Sequence, residues 1–317
     1  WAYRIPSLLG AMLAAAACAW GAAVFFGGPT GLLAGGLFAS TLLLSSEAFI
    51  AKTDAVLAGT TTLALAALGR IYAGSLNGAP AGRLTRLLFW LGLSVAVLVK
   101  GPVGLMVVAL TAATLWIWDR KAPWLKRLGW SWGLILFAAV IGPWAWAVTV
   151  ATDGGFWSAA VVGDLAPKLA GGQESHGAPP GYHTLATPLL FFPAALLLPA
   201  ALVFGWRNRA EPGVRFALAW LVPAFLVFEL TPTKLVHYTL PTYGALAWLA
   251  AAALRETLGG RVRWAGAGLS ALVGTVIFAV GAEYGLWMTS LFIVIFGTLI
   301  FSTEFDRGTM KNILTRP

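Results

Sequence analysis

Long runs of apolar residues follow one another along most of this 317-residue chain, with short polar stretches between them. A helix that crosses the ~30 Å hydrocarbon core of a bilayer needs about 20 mostly apolar residues. The runs are continuous and do not alternate as half-buried strands do, so they favour helices. We therefore predict an all-α polytopic membrane protein with about eleven transmembrane helices, at about 7–26, 30–46, 54–73, 84–99, 102–118, 130–150, 183–204, 214–230, 236–254, 264–281 and 286–302.

Composition points to the same class of protein. Only 10% of the residues are charged, 59% are hydrophobic and the mean hydropathy is +0.82. A soluble domain usually carries about 25% charged residues, so this chain is too poor in charge to cover a surface that faces water. The single cysteine, Cys18, excludes a disulfide framework and a cysteine-based metal cluster.

The basic residues predict the orientation of the chain. If the spans cross in turn, sixteen of the 21 Lys and Arg residues fall on one side, which the positive-inside rule makes cytoplasmic. The net charge of +9 therefore reflects orientation in a membrane, with lipids as partners, and no nucleic acid is expected. The cytoplasmic connections are 70–86, 119–129, 205–215, 255–263 and the tail after 302.

The opposite, outer side holds the groups that can handle protons. All three histidines and seven of the twelve acidic residues lie on or near it. We therefore expect an active site that faces the periplasm or the outside, built from some of the following residues: Glu47, Asp54, Asp153, Asp164, Glu174, Glu229, Glu283, His176, His183 and His237.

The first candidate segment joins two spans and contains Glu47, Lys52 and Asp54. A carboxylate at the mouth of a membrane helix is costly unless it is paired or used. Lys52 and Asp54 would point apart on one helix but can converge in a turn. An alternative is that Asp54 only caps the next helix, by accepting N–H bonds from its first turn.

Lys100 forms the second candidate segment, in the tight Lys-Gly-Pro connection between two spans. Its ammonium group can face an anionic head group. On spacing alone, the favoured alternative is that the side chain simply snorkels to the membrane surface.

A polar outer loop at about 151–182 is the third segment, and it contains Glu174 and His176. Long loops without obvious internal structure tend to be functional. His176 and His183 are not a helical metal pair, because Pro179 and Pro180 lie between them, so the metal signal is weak.

Lys234, His237 and Tyr238 lie within five residues at a helix mouth and form the fourth segment. Lysine binds phosphate as a point charge, and a tyrosine hydroxyl adds a neutral donor. The alternative is a Lys/Tyr/His anchor at the membrane interface. Motifs for nucleotide hydrolysis, such as a Walker-type phosphate loop, do not occur in the sequence.

Five sequence stretches together resemble the bacterial family 39 glycosyltransferases. This GT-C group includes aminoarabinose transferases of lipid A and, more distantly, protein O-mannosyltransferases. The resemblance covers residues 1 to about 255 and rests on the order of the motifs: WAYRIPSLLGA, AKTDAVLAG, VLVKGPVGLMV, ESHGAPPGYHTLATPLLFFPAALLLP and TPTKLVHYTLP.

The resemblance implies a transfer reaction on the outer face of a bacterial inner membrane. A polyprenyl-phosphate sugar is the donor, and an acceptor hydroxyl or phosphate attacks the anomeric carbon with inversion. The acceptor is a lipid A, another glycolipid, a polysaccharide or a protein. A general base takes the proton and positive groups stabilise the leaving phosphate.

The resemblance also assigns roles to residues. Asp54 matches the family's aspartate at the donor site and is the catalytic candidate, while Lys234 and Tyr238 match the motif beside the donor phosphate. His176 takes the place of a histidine that binds a metal in some relatives, so a divalent metal is an option although no cofactor is required. With the other polar residues of these segments, the predicted substrate-binding set is Lys52, Lys100, Glu174, Lys234, His237 and Tyr238.

The two ends of the chain depart from the family pattern. In the family the presumed base follows a first transmembrane helix, which would lie before Trp1, so we expect the 317-residue chain alone to lack it and to be inactive. Residues 1–302 are predicted as the transmembrane domain and 303–317 as a cytoplasmic tail, which resembles a segment of ABC-2-type permeases.

A transporter or permease component is the alternative function. Transporters typically carry charges near the midplane on paired broken helices, often in repeated halves. Here the ionisable groups gather at one face of the membrane, which favours the transferase.

Overall fold

The computed structural model describes residues 2–165, 177–256 and 259–283, and the described residues form a helical bundle. The predicted span at 286–302 and the tail at 303–317 lie outside them. The α-helices are α1 (Ile5–Phe26), α2 (Gly28–Ser40), α3 (Leu42–Phe49), α4 (Asp54–Leu76), α5 (Arg83–Lys100), α6 (Pro102–Asp119), α7 (Trp130–Ala151), α8 (Gly155–Ser158), α9 (Tyr182–Leu190), α10 (Leu198–Arg207), α11 (Pro212–Leu230), α12 (Tyr243–Ala253) and α13 (Gly260–Glu283).

Shorter turns of helix connect some of these elements. Three are 3₁₀-helices, at Leu125–Leu128, Ala194–Leu197 and Val236–Thr242, and Ala159–Leu165 is a π-helix. Short 3₁₀-helices are common as connectors in helical proteins.

Six helices of the described part are long and apolar enough to cross a membrane: α1, α4, α6, α7, α11 and α13. Two bent pairs, α2–α3 with a 65° bend and α9–α10 with a 118° bend, raise the number to as many as eight. The prediction of an all-α polytopic membrane protein is confirmed. Ten of the eleven predicted spans fall within the described residues, where six to eight are found.

Two predicted spans account for the difference within the described residues. The segment at 84–99 forms α5. This helix carries three charged residues, Arg83, Arg86 and Lys100, and is not among the candidate spans. The segment at 236–254 is divided between a 3₁₀-helix and α12, whose 11 residues extend only about 16 Å. Every residue of α12 is buried, so its apolar sequence reflects the protein core.

α4 is the central helix of the bundle. It is buried along most of its length and packs against α1, α5 and α6. A Cβ atom at Gly59 would collide with the carbonyl oxygen of Gly10, so the backbones of α1 and α4 touch at this crossing. α7 lies at the periphery, where Gly133 is its buried residue and most of its surface is exposed.

The charged groups lie at the two ends of the bundle. α4 begins where α5 ends, and Asp54 pairs there with Lys100. α6 ends where α11 begins, and Asp119 pairs there with Arg215. Following the predicted orientation, we call the first the outer end and the second the inner end.

Candidate functional site

Five side chains from four parts of the sequence meet at the outer end and form what we call the outer-end cluster. The Lys100 ammonium forms an ion pair with the Asp54 carboxylate. His237 lies between two acids, with Nε2 3.7 Å from Asp54 Oδ1 and Nδ1 3.9 Å from Glu47 Oε1. The ring centroid of Tyr238 lies 5.8 Å from Lys100 Nζ.

A short bend between α3 and α4 brings Glu47 and Asp54 together. α3 ends at Phe49, and the backbone N–H of Lys52 donates to the Ile50 carbonyl 2.9 Å away. The Ser7 hydroxyl donates to the Lys52 carbonyl at 2.8 Å, which ties the bend to α1. Lys52 itself is exposed at this bend.

Asp54 is the first residue of α4, and its side chain is 7% exposed. Its carboxylate pairs with Lys100, so the alternative that Asp54 only caps its helix does not describe the contact that it makes. The alternative for Lys100 was that its side chain simply snorkels to the membrane surface. The ion pair shows that its ammonium also contacts Asp54.

A glycine turn places Lys100 in this position. Gly101 follows it with φ +57° and ψ −130°, a conformation that residues with a Cβ rarely adopt. Pro102 then begins α6. The Lys-Gly-Pro sequence therefore ends one helix, reverses the chain and leaves the lysine at the outer end.

His237 and Tyr238 are on the 3₁₀-helix Val236–Thr242, which lies outside the eight candidate spans. Burial lowers the pKa of His237 to about 4, and the charges of Lys100 and Lys52 act in the same direction. The Asp54 carboxylate opposes this shift without reversing it. At neutral pH the imidazole is therefore uncharged, with one nitrogen as donor and the other as acceptor.

Lys100 is the member of the cluster that an anion can reach most directly. Its side chain is 31% exposed, whereas those of Asp54 and His237 are 7% and 10% exposed. An ammonium group has three N–H donors, and the ion pair with Asp54 uses only part of them. The arrangement can therefore bind an anion while an acid holds the lysine in place.

Lys234 lies nearby but makes other contacts than those we expected. It is 4% exposed and its ammonium donates to the carbonyl oxygens of Glu229, at 2.6 Å, and of Thr231. These carbonyls lie at the end of α11, so the lysine satisfies groups that the helix leaves unpaired. Its predicted role at a donor phosphate stays a prediction.

Glu229 and His183 are two further buried ionisable residues at the outer end. The Glu229 carboxylate accepts hydrogen bonds from the start of α9, including one from the backbone N–H of His183 at 3.2 Å. The His183 ring is fully buried, and within the described residues neither of its nitrogens has a hydrogen-bond partner.

The predicted metal ligand, His176, belongs to the polar outer loop. His176 and Glu174 lie outside the described residues, as does the rest of the polar loop at 166–176. Within the described ranges, no group of three or more His, Cys, Asp or Glu side chains is arranged to hold a metal ion. Glu47, Asp54 and His237 do converge, but the Lys100 ammonium on Asp54 opposes a divalent cation there, so these residues do not fit one.

Glu47 is the member of the cluster that we listed among the outer-side candidates but left out of the predicted catalytic and substrate-binding residues. It is 3% exposed, and its Oε2 atom has no hydrogen-bond partner among the described residues. The available signal was a lone glutamate at the end of an apolar run, and such residues in membrane segments are functional candidates by default.

The described helical bundle shares its fold with a membrane protein of known structure. The structure matches the crystal structure of ArnT from Cupriavidus metallidurans bound to undecaprenyl phosphate, with a TM-score of 0.80. The match covers 99% of this chain and 60% of that one, at 19% sequence identity. The apo state of the same protein gives a TM-score of 0.76.

Sequence comparison gives the same relationship. The chain is 32% identical over 173 residues to an undecaprenyl phosphate-alpha-4-amino-4-deoxy-L-arabinose arabinosyl transferase of Aeromonas salmonicida, covering 54% of this chain and 31% of the relative. It is 30% identical over 228 residues to the protein of that name from Pseudomonas paraeruginosa, covering 70% and 40%. No family model matches the sequence.

These comparisons confirm the resemblance seen in the motifs: the chain is related to the aminoarabinose transferases and shares their fold. The chain spans less than half the length of these two curated relatives.

Proposed function

We propose that the chain is part of a membrane glycosyltransferase that moves a sugar from a polyprenyl-phosphate donor to an acceptor outside the cytoplasm. The observation that carries this proposal is the outer-end cluster, in which an accessible lysine is held by a buried aspartate beside a histidine and a tyrosine. It lies in a fold shared with a protein whose crystal structure contains undecaprenyl phosphate.

Lys100 binds the donor phosphate in this proposal. The reaction breaks the bond between the anomeric carbon and a phosphate oxygen, so negative charge builds up on the leaving undecaprenyl phosphate. A fixed ammonium group aimed at this charge stabilises the transition state more than it stabilises the ground state. Lys52, exposed at the neighbouring bend, adds positive charge on the same side.

Asp54 orients Lys100, and His237 lies beside both. The acceptor oxygen attacks the anomeric carbon on the face opposite the phosphate, its bond to that carbon forms as the phosphate bond breaks, and the configuration inverts. A hydroxyl acceptor gives its proton to a general base.

The names of the relatives suggest the donor sugar, and the family resemblance of the motifs suggests the acceptor. Their names specify undecaprenyl phosphate-linked 4-amino-4-deoxy-L-arabinose, and we propose the same donor for this protein with a lipid A phosphate as acceptor. Orientation by the positive-inside rule puts the reaction on the periplasmic side of a bacterial inner membrane.

The test is transfer from defined undecaprenyl-phosphate sugars in membranes that contain the complete gene product. We expect Lys100→Ala to lower kcat/KM at least about 100-fold, the usual loss when one donor to a developing oxyanion is removed. Asp54→Asn should lower it as well, because Lys100 loses the carboxylate that orients it. The matched control is Asp119→Asn, which breaks an ion pair at the inner end. Equal activity of all three variants, at equal amounts of folded protein, would exclude the outer-end cluster as the site.

A further inference from the structure

A second group of contacts at the outer end joins two segments that are distant in sequence. Glu229, at the end of α11, is 7% exposed, and its carboxylate accepts four hydrogen bonds. Oε1 accepts from the backbone N–H groups of Gly181 at 3.0 Å and His183 at 3.2 Å. Oε2 accepts from Thr184, from its N–H at 2.8 Å and its hydroxyl at 2.6 Å.

These four donors lie at the beginning of α9, where the first N–H groups of a helix have no partner within the helix. A carboxylate there satisfies them and also interacts favourably with the helix dipole. Glu229 therefore caps the N-terminus of α9 from another helix, and these bonds connect the start of α9 to the end of α11.

Backbone contacts continue the connection between the two segments beyond Glu229. Gly177 forms an antiparallel bridge with Thr233, and the Ala178 N–H donates to the Pro232 carbonyl at 3.4 Å. Within the segment 229–234, the Lys234 ammonium donates to the main-chain oxygen of Glu229 at 2.6 Å. The segments 177–184 and 229–234 are therefore joined near both of their ends.

The joined segments lead directly into the outer-end cluster. Phe228, the residue before Glu229, has its ring centroid 6.2 Å from that of Tyr238. Tyr238 is in turn next to the Lys100 ammonium. The Glu229 contacts thus act on the segment that positions His237 and Tyr238 relative to Lys100 and Asp54.

We infer that Glu229 is a positioning residue of the transfer site, which docks the segment 177–184 and so fixes the place of His237 and Tyr238. This inference rests on the proposed function. If the binding-competent arrangement exists only in the docked state, undocking lowers the apparent affinity for the donor in proportion to the docked fraction. The chemical step of bound donor is then affected less, so KM rises more than kcat falls.

The test uses the complete gene product in lipid nanodiscs, with Glu229→Gln and the conservative variant Glu229→Asp. Amide hydrogen exchange at residues 181–184 reports docking, and binding of undecaprenyl phosphate reports the site without requiring transfer. For Glu229→Gln we expect these amides to exchange about 10- to 100-fold faster, since the bonds lost are to a charged group. We expect undecaprenyl phosphate to bind several-fold more weakly, the donor KM to rise, and Glu229→Asp to restore part of both.

Glu211→Gln is the matched control, because it neutralises an exposed carboxylate at the opposite end of α11. If Glu229→Gln does not fold, Thr184→Val removes only the hydroxyl bond and should give smaller changes of the same kind, which Thr184→Ser should not give. Unchanged exchange at residues 181–184, or faster exchange with wild-type affinity for undecaprenyl phosphate, would overturn the inference. Failure of the proposed function is recognised separately, by wild-type transfer activity in Lys100→Ala.

Discussion

The outer and inner ends of the bundle each contain a carboxylate paired with a cation, but the surroundings of the two pairs differ. At the inner end, Arg215 pairs with Asp119, donates to the Ala210 carbonyl at 3.0 Å and lies 5.8 Å from the ring centroid of Trp118. At the outer end, Lys100 pairs with Asp54 and has a neutral histidine and a second buried acid nearby.

The comparison shows that an ion pair between helix ends does not by itself mark a site. Arginine presents a rigid fork whose donors fit several fixed acceptors, as the bonds from Arg215 to Asp119 and to the Ala210 carbonyl illustrate. Lysine is a point charge with rotatable donors, which can serve an aspartate and a further anion together. The inner pair therefore fastens α6 to α11, whereas the outer pair leaves capacity for a ligand.

The sharpest test of this comparison removes the cation at each end. We expect Lys100→Met to lower kcat/KM for transfer about 100- to 1,000-fold, because it removes a donor to the developing charge. It also leaves the Asp54 carboxylate unpaired, so some loss of stability accompanies the loss of activity. Arg215→Met should instead lower the free energy of unfolding by about 1–3 kcal/mol, since it leaves a half-buried carboxylate unpaired. Thermal unfolding and donor kinetics of both variants measure this, and the reverse assignment of effects would contradict it.

Glu47 tests whether the second acid belongs to the site. We expect Glu47→Gln to lower kcat/KM about tenfold, because the amide keeps the shape but loses the charge that faces His237. Glu211→Gln, an exposed carboxylate at the inner end, serves as control and should retain wild-type kinetics. Wild-type kinetics in Glu47→Gln would limit the cluster to the other four residues.

Gly101 tests whether the turn that places Lys100 is under conformational constraint. An alanine there must adopt φ +57°, so we expect Gly101→Ala to cost about 1–2 kcal/mol of stability and to lower Tm. Gly28→Ala is the control, since Gly28 has open space around it and begins α2 without a positive φ. Equal Tm values for the two variants would show that the turn tolerates a side chain.

The smallest effect concerns pH. Because burial holds the pKa of His237 near 4, the imidazole is already neutral above about pH 5 and does not titrate between pH 6 and 8. The pH profile of His237→Gln should therefore have the wild-type shape in that range, even if its rate is lower. A limb near pH 6.5 that is present in wild type and absent in His237→Gln would contradict this.

The apolar pattern was sufficient to predict the helices. Because successive spans cross the membrane in opposite directions, it also placed Asp54, Lys100, His237 and Tyr238 at the same end of the bundle. It was not sufficient for α12, because hydropathy does not distinguish a helix buried in protein from one that faces lipid. The buried position of Lys234 was also missed, since whether a lysine turns toward an anion or toward helix carbonyls depends on tertiary packing. Glu47 required knowing that the bend at 50–53 folds back toward the 3₁₀-helix.

The crossing of α1 and α4 has a consequence for the chemistry at the outer end. Gly59 lies five residues beyond Asp54 on the same helix, about 7.5 Å along its axis. The close contact of its backbone with Gly10 fixes the position of α4 relative to α1. A methyl group at Gly59 would push the two helices apart. Gly10 and Gly59 therefore influence the distance between Asp54 and Lys100, although neither glycine contacts that pair.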